Sequence, residues 1–426
     1  MVYASYEQET KTREEEARQK IGQGSKASQP IRPIKLRKRG ALLLCVSEYN
    51  DLMQEPLSYI AISKKGLIHN VQALKSIVPH KEVVGVIKAN AYGHGQNEVA
   101  KIIESYVDYF QVDDIEELRL LRKVSKKRTL VFGYVQESDL EEAVMLRGTL
   151  AVYDITRLRI LQRIGARRKM KIPVHIKIDA HLGRQGLLLE SIPAFIREFK
   201  KAPNVAVEGI YSHFSNIEDT TNMAHAKKQV AAFEAATALF NDEGFSNLKT
   251  HMSATSGLLT LDTKLSTSLV RLGVGLYGMW PSEALKKEWG GRLALLPVMR
   301  WISHVAQVKN VPKGFSVGYG CTYVTKRPTT IAVIPQGYSD GFDRGLSNCG
   351  TVLIHGARAP IIGRVAMNII VADVTHILRV HAEDEVVLLG SQKKECVTAE
   401  EIAKKLGTIN YEITTRTSPL LPRVVK

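Results

Sequence analysis

The stretch Val83-Val-Gly-Val-Ile-Lys88-Ala-Asn-Ala-Tyr-Gly-His-Gly95 is the most informative part of this sequence. Its first five residues are apolar and mostly β-branched, a pattern typical of a buried strand in a parallel sheet. Lys88 follows that strand directly, and the glycines after it predict a loop that can approach a ligand closely. A desolvated lysine in such a place can form a Schiff base. The plainer interpretation is a lysine whose amine reaches water from the end of a core strand.

The composition is that of an ordinary soluble protein with more than one domain. The chain has 426 residues, 44% of them hydrophobic and 24% charged, which is enough for two or more cores. The longest early apolar run, 41–46, is far too short to cross a membrane. The cysteines lack metal-ligand spacing, so we expect reduced thiols in a cytoplasmic protein and no metal site. They are Cys45, Cys321, Cys349 and Cys396.

The formal net charge of +16 raises the question of an anionic partner. Lysines and arginines are interspersed with acidic residues, and no aromatic RNA-binding signature accompanies them. We therefore expect a solvated surface and a small phosphate-containing ligand, with no nucleic-acid partner and no membrane partner. Weak, salt-sensitive binding to polyanions is compatible with the same charge.

Residues 1–57 differ in composition from the rest and predict a flexible N-terminal extension. The segment 7–20 is charged on all sides, 22–33 is rich in Gly, Ser and Pro, and 35–39 is a basic cluster. Two other interpretations are a targeting or binding patch at the basic cluster and a natural start at Met53.

From residue 58 to about 294, short apolar runs alternate with amphipathic stretches such as 114–123, 156–168 and 224–241. Eight β/α units over this length predict a (β/α)8 TIM-type barrel, an α/β fold. A doubly wound open sheet is the second choice, and no strand is followed by the Gly-x-Gly-x-x-Gly turn of a dinucleotide fold. The predicted strands are 83–87, 109–112, 129–132, 150–153, 174–178, 205–211, 248–252 and 269–277.

After about residue 295 the helical periodicity nearly disappears. Short β-branched runs separated by turn residues predict a mostly antiparallel β domain over 295–426. One helix stands out near its end, where Thr398 and Glu401 form a capping box and Gly407 ends the helix. The predicted strands are 301–308, 330–334, 351–354, 361–365, 369–374 and 385–389.

Polar residues collect where the predicted barrel strands end. Because ligands of such barrels bind at the C-terminal ends of the strands, these cations and hydroxyls predict an anionic, phosphate-bearing ligand. Each also has a plainer interpretation: His213 alone would more often be a core histidine, and Ser256 a turn residue. The set is Lys88, Lys177, Arg184, His213, Ser253, Thr255, Ser256, Arg271, Gly273 and Gly275.

Arg271 is the member of this set that is hardest to explain otherwise. It stands in an apolar run, and an unpaired buried guanidinium is costly, so it needs a desolvated partner. Gly273 and Gly275 leave room for backbone amides that grip a phosphate.

The β domain carries tyrosines next to glycines. Tyr319 lies in the run 316–323, and Tyr338 lies in 337–341. A phenol on such exposed backbone can act as an acid or a base. For Tyr323 we prefer a tight turn with an aromatic plug.

Together these motifs resemble alanine racemases, the pyridoxal-phosphate enzymes of fold type III. The resemblance extends over about 58–422 and leaves only the N-terminal extension outside. The motifs occur in the family's order: Lys88-Ala-Asn-Ala-Tyr-Gly-His-Gly, Val270-Arg271-Leu-Gly-Val-Gly-Leu-Tyr-Gly, Val317-Gly-Tyr319-Gly-Cys-Thr-Tyr, Ile334-Pro-Gln-Gly-Tyr338-Ser-Asp-Gly and Ile409-Asn-Tyr411-Glu.

The resemblance implies a homodimer with shared active sites that interconverts L- and D-alanine for peptidoglycan synthesis. Pyridoxal 5'-phosphate would bind covalently to Lys88, which would act as the base on one face of the substrate Cα. Tyr319 of the partner subunit would act on the other face. Arg271 would face the pyridine nitrogen and keep it unprotonated, and His213 would pack by the ring and bond Arg271.

The same resemblance assigns the remaining site residues. The phosphate would be held by Tyr92, Ser256, the amides near Gly273 and Val274, and Tyr411. Arg184 would orient the substrate carboxylate, assisted by the amide of Met367 of the partner subunit. Tyr338 would form the inner gate, and Lys177 matches a position that is often carbamylated in the family.

Three departures from the family pattern concern the carboxylate and substrate-access side. Ala180-His181-Leu182 stands for Thr-Gly-Met, Ala366-Met367-Asn368 for Cys-Met-Asp, and Thr255 for Asn. They bear on substrate preference more than on reaction type. The alternatives are a broader-specificity or serine racemase, a non-catalytic pyridoxal-phosphate-binding protein, and a decarboxylase of the same fold. The presence of both Tyr319 and Arg271 disfavours the decarboxylase.

Overall fold

The structure, a computed structural model, describes residues 56–218, 221–261 and 265–426. The predicted N-terminal extension lies outside the described residues, apart from its last two positions. The described part of the chain begins with strand β1 (Tyr59–Ile62) and helix α1 (Lys64–Ile77), which precede the barrel.

Eight parallel strands form one sheet that curves into a nearly closed barrel, which confirms the predicted fold class. The hydrogen-bonded order runs from the seventh barrel strand back to the first and then to the eighth. Between the seventh and eighth strands, the amide of Ser268 donates to Thr250 O at 2.9 Å, and that of Arg271 to Ser253 O at 3.1 Å. The strands are β2 (Glu82–Val86), β3 (Tyr109–Val112), β4 (Thr129–Val131), β5 (Gly148–Val152), β6 (Ile172–Lys177), β7 (Val205–Tyr211), β8 (Lys249–His251) and β9 (Leu269–Leu272).

Helices alternate with these strands and cover the outside of the barrel. Several begin at residues whose side chains accept a backbone amide: Asp114 accepts from Glu117, and Asp154 from Arg157. Their apolar faces pack on the outer core of the sheet. They are α2 (Gln96–Ile103), α3 (Ile115–Arg122), α4 (Leu140–Met145), α5 (Ile155–Arg168), α6 (Ile192–Phe199), α7 (Ala224–Asp242), α8 (Thr255–Thr260) and α9 (Glu283–Trp289).

The C-terminal part is mostly antiparallel, as predicted. Its strands are β10 (Met299–His304), β11 (Gln307–Val311), β12 (Ser316–Val317), β13 (Tyr323–Val324), β14 (Thr329–Ile334), β15 (Thr351–Ile354), β16 (Ala357–Pro360), β17 (Ile370–Asp373), β18 (Glu385–Gln392), β19 (Glu395–Val397) and β20 (Arg423–Val425). The largest sheet has the order β16-β15-β18-β10-β1-β20, with β19 beside β18. Strands β11, β14 and β17 form a second sheet, and β12 and β13 form a hairpin. Helices α10 (Ala399–Leu406) and α11 (Asn410–Thr415) complete it.

Strand β1 pairs with the C-terminal sheet, although it precedes the barrel in sequence. It runs antiparallel to β10 and parallel to β20. The described part of the chain therefore enters through this sheet, builds the barrel and returns to the sheet, so that two crossings connect the barrel to the β domain.

Three predicted strands are wrong in extent. The run 301–308 covers the end of β10 and the start of β11, which are separate strands in different sheets. Residues 361–365 form no strand, because Gly363 turns the backbone at φ +76°, and a Cβ there would lie 2.6 Å from Val317 O. The run 269–277 is extended only to Leu272, and Val274–Tyr277 is a helical turn.

The barrel interior is filled by side chains rather than open. Phe132 and Tyr211 stack with ring centroids 4.0 Å apart, and Tyr109 and Leu130 pack in the same cluster. Within the described residues, no helix combines the length and apolar content needed to cross a bilayer.

Candidate active site

A cavity of about 670 Å³ lies at the C-terminal ends of the barrel strands. It brings together eight residues that the sequence selected as candidates, four of them cations. They are Lys88, Tyr92, Lys177, Arg184, His213, Arg271, Gly273 and Tyr411. Ser256 and Val274 are buried at the starts of neighbouring helical turns.

Lys88 begins an unusual backbone segment. The four residues after it, Ala89 to Tyr92, have φ between +52° and +55°, so they form a left-handed turn. A left-handed conformation costs roughly 1–2 kcal/mol per residue without glycine. The turn is held by hydrogen bonds from Ala91 N to Ile87 O and from Gly95 N to Asn90 O, both 2.9 Å. Such strain at a cavity wall is typical of functional sites.

The Glu117 carboxylate ties this turn to the end of strand β3. It accepts the amide of Ala89 at 2.6 Å and the amide of Asp113 at 2.7 Å. Burial raises the pKa of Glu117. The Asp113 carboxylate in turn lies 3.3 Å from Nζ of Lys88. Sequence reasoning missed both carboxylates, because nothing in the local pattern shows which strand end faces Lys88.

Arg271 is buried, and its guanidinium is surrounded by acceptors. It donates to His251 Nδ1 at 2.7 Å and to His213 Nδ1 at 3.1 Å. It also donates to the carbonyls of Ser212 at 2.9 Å and Met252 at 2.7 Å. The partners that an arginine in this run requires are therefore two neutral imidazoles and two carbonyls.

The histidines around Arg271 resist protonation. Burial, followed by the charge of Arg271, lowers the pKa of His213 to about 3. The same causes hold the pKa of His251 well below its usual value. The guanidinium is thus the fixed positive charge at this end of the cavity, and the imidazoles remain neutral acceptors.

Hydroxyl groups line the side of the cavity near Gly273. A Cβ at Gly273 would lie 2.8 Å from the phenol oxygen of Tyr92, so glycine keeps this concavity open. The ring of Tyr92 lies 6.2 Å from that of Tyr411. Burial raises the pKa of Tyr92 to about 12, so its phenol is a hydrogen-bond donor at neutral pH. This donor set suits a phosphate group.

The sequence did not predict the roles of two residues near Gly273, Thr255 and Glu218. The Thr255 hydroxyl accepts the amides of Gly273 at 3.3 Å and Gly275 at 3.2 Å, and so braces the glycine turn. The Glu218 carboxylate accepts a hydrogen bond from Ser256 at 2.7 Å and lies 3.5 Å from the Tyr411 hydroxyl. A carboxylate is thus bonded to the hydroxyls that the sequence suggested for phosphate.

Lys177 and Arg184 lie on the other side of the cavity. Lys177 is buried over the Tyr211 ring, 5.7 Å from its centroid. Burial, with Arg184 and Arg271 nearby, lowers the pKa of Lys177 to about 8. Asp179 accepts the amides of the turn that carries Arg184, including that of Arg184 itself at 3.0 Å.

Tyr319 lies apart from this cavity, on the β domain. The residue is 74% exposed. Together with Tyr338 and Met367 it lines a second cavity of about 440 Å³. Within one chain, therefore, the structure separates the candidate groups into two sets: Lys88 and its neighbours in the barrel, and the two tyrosines with Met367 in the β domain.

Comparison with known families matches both parts of the chain. Residues 62–281 match the N-terminal domain of alanine racemase, and residues 298–425 match its C-terminal domain. The chain belongs to the alanine racemase family. Alanine racemase 2 of Caldanaerobacter subterraneus subsp. tengcongensis is 36% identical over 86% of this chain and 94% of its own length. The alanine racemase of Syntrophobacter fumaroxidans is 38% identical over 84% of this chain and 94% of its own length.

Solved alanine racemases share the fold. That of Clostridium difficile superposes with a TM-score of 0.82 at 31% identity, over 88% of this chain and 97% of the other. The Bacillus anthracis enzyme, with bound L-Ala-P, has a TM-score of 0.82 at 28% identity, over 88% of this chain and 96% of the other. The Bartonella henselae enzyme, with covalently bound pyridoxal phosphate, has a TM-score of 0.77 at 26% identity, over 87% of this chain and 100% of the other.

Proposed function

We propose that this protein is a pyridoxal-phosphate-dependent racemase that interconverts L- and D-alanine. The observation that carries the proposal is the content of the barrel cavity: an amine at Lys88, the buried cation Arg271 and a hydroxyl cradle at Gly273 open into one space. These groups fit an aldehyde, a ring nitrogen and a phosphate, the three functional parts of pyridoxal phosphate. The motifs occur in a chain of the alanine racemase family, which supports the same assignment.

Racemisation requires a proton to leave one face of the substrate Cα and another to arrive at the opposite face. The cofactor, when bound, makes the Cα proton acidic by drawing electron density into its ring. We assign the base on one face to Lys88. We assign the opposite face to Tyr319 of the partner subunit, because within one chain Tyr319 lies on a separate domain and is largely exposed.

Arg271 would donate a hydrogen bond to the ring nitrogen. A guanidinium keeps its proton at all relevant pH values, so it leaves that nitrogen unprotonated. His213 and the carbonyls of Ser212 and Met252 hold the guanidinium in place. An unprotonated ring withdraws electrons less strongly, which should limit side reactions such as transamination.

The remaining residues would bind and orient. The phosphate would be held by Tyr92, Ser256, the amides near Gly273 and Val274, and Tyr411. Arg184, with the Met367 amide of the partner subunit, would take the substrate carboxylate, and Tyr338 would narrow the access route. The lowered pKa of Lys177 increases its neutral fraction, the form that carbon dioxide can carbamylate.

We further propose a cytoplasmic homodimer whose product, D-alanine, serves peptidoglycan synthesis. The chain's second cavity, lined by Tyr319, Tyr338 and Met367, would complete the active site of the partner subunit. Such reciprocal contacts are the usual form of a two-fold symmetric dimer.

The proposal is tested by the purified protein's absorbance spectrum with pyridoxal phosphate and by a panel of L- and D-amino acids that includes alanine and serine. Racemisation fastest for alanine, lost in Lys88→Ala and strongly reduced in Tyr319→Phe, is the expected result. Faster turnover of serine would change the substrate assignment. A lysine-bound cofactor band without turnover of any amino acid would contradict the racemase function.

A further inference from the structure

Asp113 places a carboxylate beside the amine on which the proposed reaction depends. Its Oδ1 lies 3.3 Å from Nζ of Lys88, and both residues line the barrel cavity. Among the described residues that line this cavity, Asp113 alone carries a carboxylate, whereas four carry a cationic side chain. Neither the sequence motifs nor the roles proposed above use it.

We propose that Asp113 is a positioning residue that holds the Lys88 ammonium on its face of the substrate during proton transfer. The inference rests on the proposed racemase function and adds to it a group that acts through Lys88.

The backbone around Asp113 is built to hold the carboxylate there. The Glu117 carboxylate accepts both the Asp113 amide and the Ala89 amide, so the two chain segments are fixed to one another. The Gly133 amide donates to Asp113 O at 2.7 Å. A Cβ at Gly133 would lie 2.6 Å from Asp113 Oδ2, so any larger residue would displace the carboxylate.

The charge changes of the reaction need such a group. When Lys88 takes the Cα proton, the C–H bond breaks and Nζ becomes an ammonium. The electron pair of that bond would stay on the substrate, where the cofactor, when bound, would stabilise the negative charge. When the reaction runs in the other direction, the ammonium returns a proton to Cα and becomes neutral again. A carboxylate at hydrogen-bond distance accepts a hydrogen bond from the ammonium and fixes its direction.

A merely structural ion pair is the competing explanation. The Lys88 and Asp113 side chains are 41% and 49% exposed. Solvent screens such pairs, so this one adds little to folding stability. The ion pair therefore matters through its position in the cavity, where it can orient the Lys88 amine, rather than through its contribution to folding stability.

The experiment compares Asp113→Asn with Asp242→Asn, the same chemical change at the end of α7, and uses Asp113→Glu as a rescue variant. Primary isotope effects are measured with α-deuterated L- and D-alanine on the holoenzymes. Titration with pyridoxal phosphate gives cofactor affinity independently of turnover.

We expect Asp113→Asn to bind the cofactor as the wild type does and to lower kcat about fivefold. Its isotope effect should rise only for the enantiomer whose Cα proton faces Lys88, and Asp113→Glu should restore part of the loss. If Asp113→Asn has the same kcat and isotope effects as Asp242→Asn, the inference about Asp113 is overturned and the proposed function is not. The same holds if Asp113→Asn lowers kcat without changing either isotope effect. An inactive wild type that binds the cofactor would overturn the proposed function and this inference with it.

Discussion

Arg271 donates a hydrogen bond of 2.7 Å to Nδ1 of His251 inside the barrel. Because that nitrogen accepts, the proton of neutral His251 resides on Nε2, which lies 2.9 Å from Nδ1 of His175. Burial lowers the pKa of His175 to about 3, so this ring is neutral as well. The guanidinium thus determines the hydrogen-bonding roles of two histidines that lie behind it, away from the cavity.

Replacing Arg271 should destabilise the fold as well as the site. In Arg271→Ala the carbonyls of Ser212 and Met252 lose a buried donor, and each such loss costs about 1–3 kcal/mol. We expect a clearly lower midpoint of urea unfolding, followed by circular dichroism, and an intermediate one in Arg271→Lys. Arg163→Ala, on the exposed side of α5, is the control and should unfold like the wild type. Equal midpoints for all variants would contradict the described network.

The acid stability of the protein should depend on His94. This ring is buried, donates from Nδ1 to backbone carbonyls and stacks on Tyr277 with centroids 4.5 Å apart. Burial lowers its pKa from 6.5 to about 4. Between these two pH values the unfolded chain therefore binds a proton at His94 that the folded chain does not bind. The contribution of a neutral His94 to the free energy of unfolding is complete above about pH 6.5 and is lost as the pH falls towards 4.

The corresponding measurement is the free energy of unfolding at several pH values. In this window one such histidine contributes a slope of about 1.4 kcal/mol per pH unit. His94→Gln should lower that slope by about one proton's contribution, whatever its effect on stability at neutral pH. An unchanged slope would show that His94 is not the neutral, buried group described here.

Glu218 should weaken cofactor binding. Its carboxylate accepts from Ser256 at 2.7 Å and lies near the Tyr411 hydroxyl, and two anions cannot share these donors. We expect Glu218→Gln to bind pyridoxal phosphate more tightly than the wild type and to bind pyridoxal, which lacks the phosphate, equally well. Ser256→Ala is the matched variant and should weaken only the phosphorylated ligand. Tighter binding of both ligands by Glu218→Gln would contradict competition at the phosphate.

Periodicity in the sequence was sufficient for the main elements of the fold. All eight barrel strands were located, because each is a short, mostly apolar run and amphipathic helices separate most of them. The place of β1 was not foreseen, since a single apolar strand does not show whether it pairs with its neighbour in sequence or with β20 more than 350 residues later. The false strand at 361–365 arose from β-branched residues on either side of Gly363, whose positive φ interrupts the extension.

The site was predictable where a motif carries its own chemistry. Lys88 and Arg271 stood out because a cation at the end of, or within, an apolar strand is unusual. The polar residues that complete the site did not stand out. Asp113 and His251 come from other strand ends, Glu218 comes from the loop after β7, and ordinary polar residues in such places have many structural uses. Only the closure of the barrel brings them within hydrogen-bond distance.

The central claim is that one active site uses Lys88 from one chain and Tyr319 from another. The most direct measurement is racemase activity after co-expression of Lys88→Ala with Tyr319→Phe, each on its own chain. Random pairing in a two-fold dimer makes half of the dimers mixed, and each mixed dimer has one intact site, so about a quarter of wild-type activity should return. Isolated mixed dimers no more active than the sum of the separate variants would contradict the shared site.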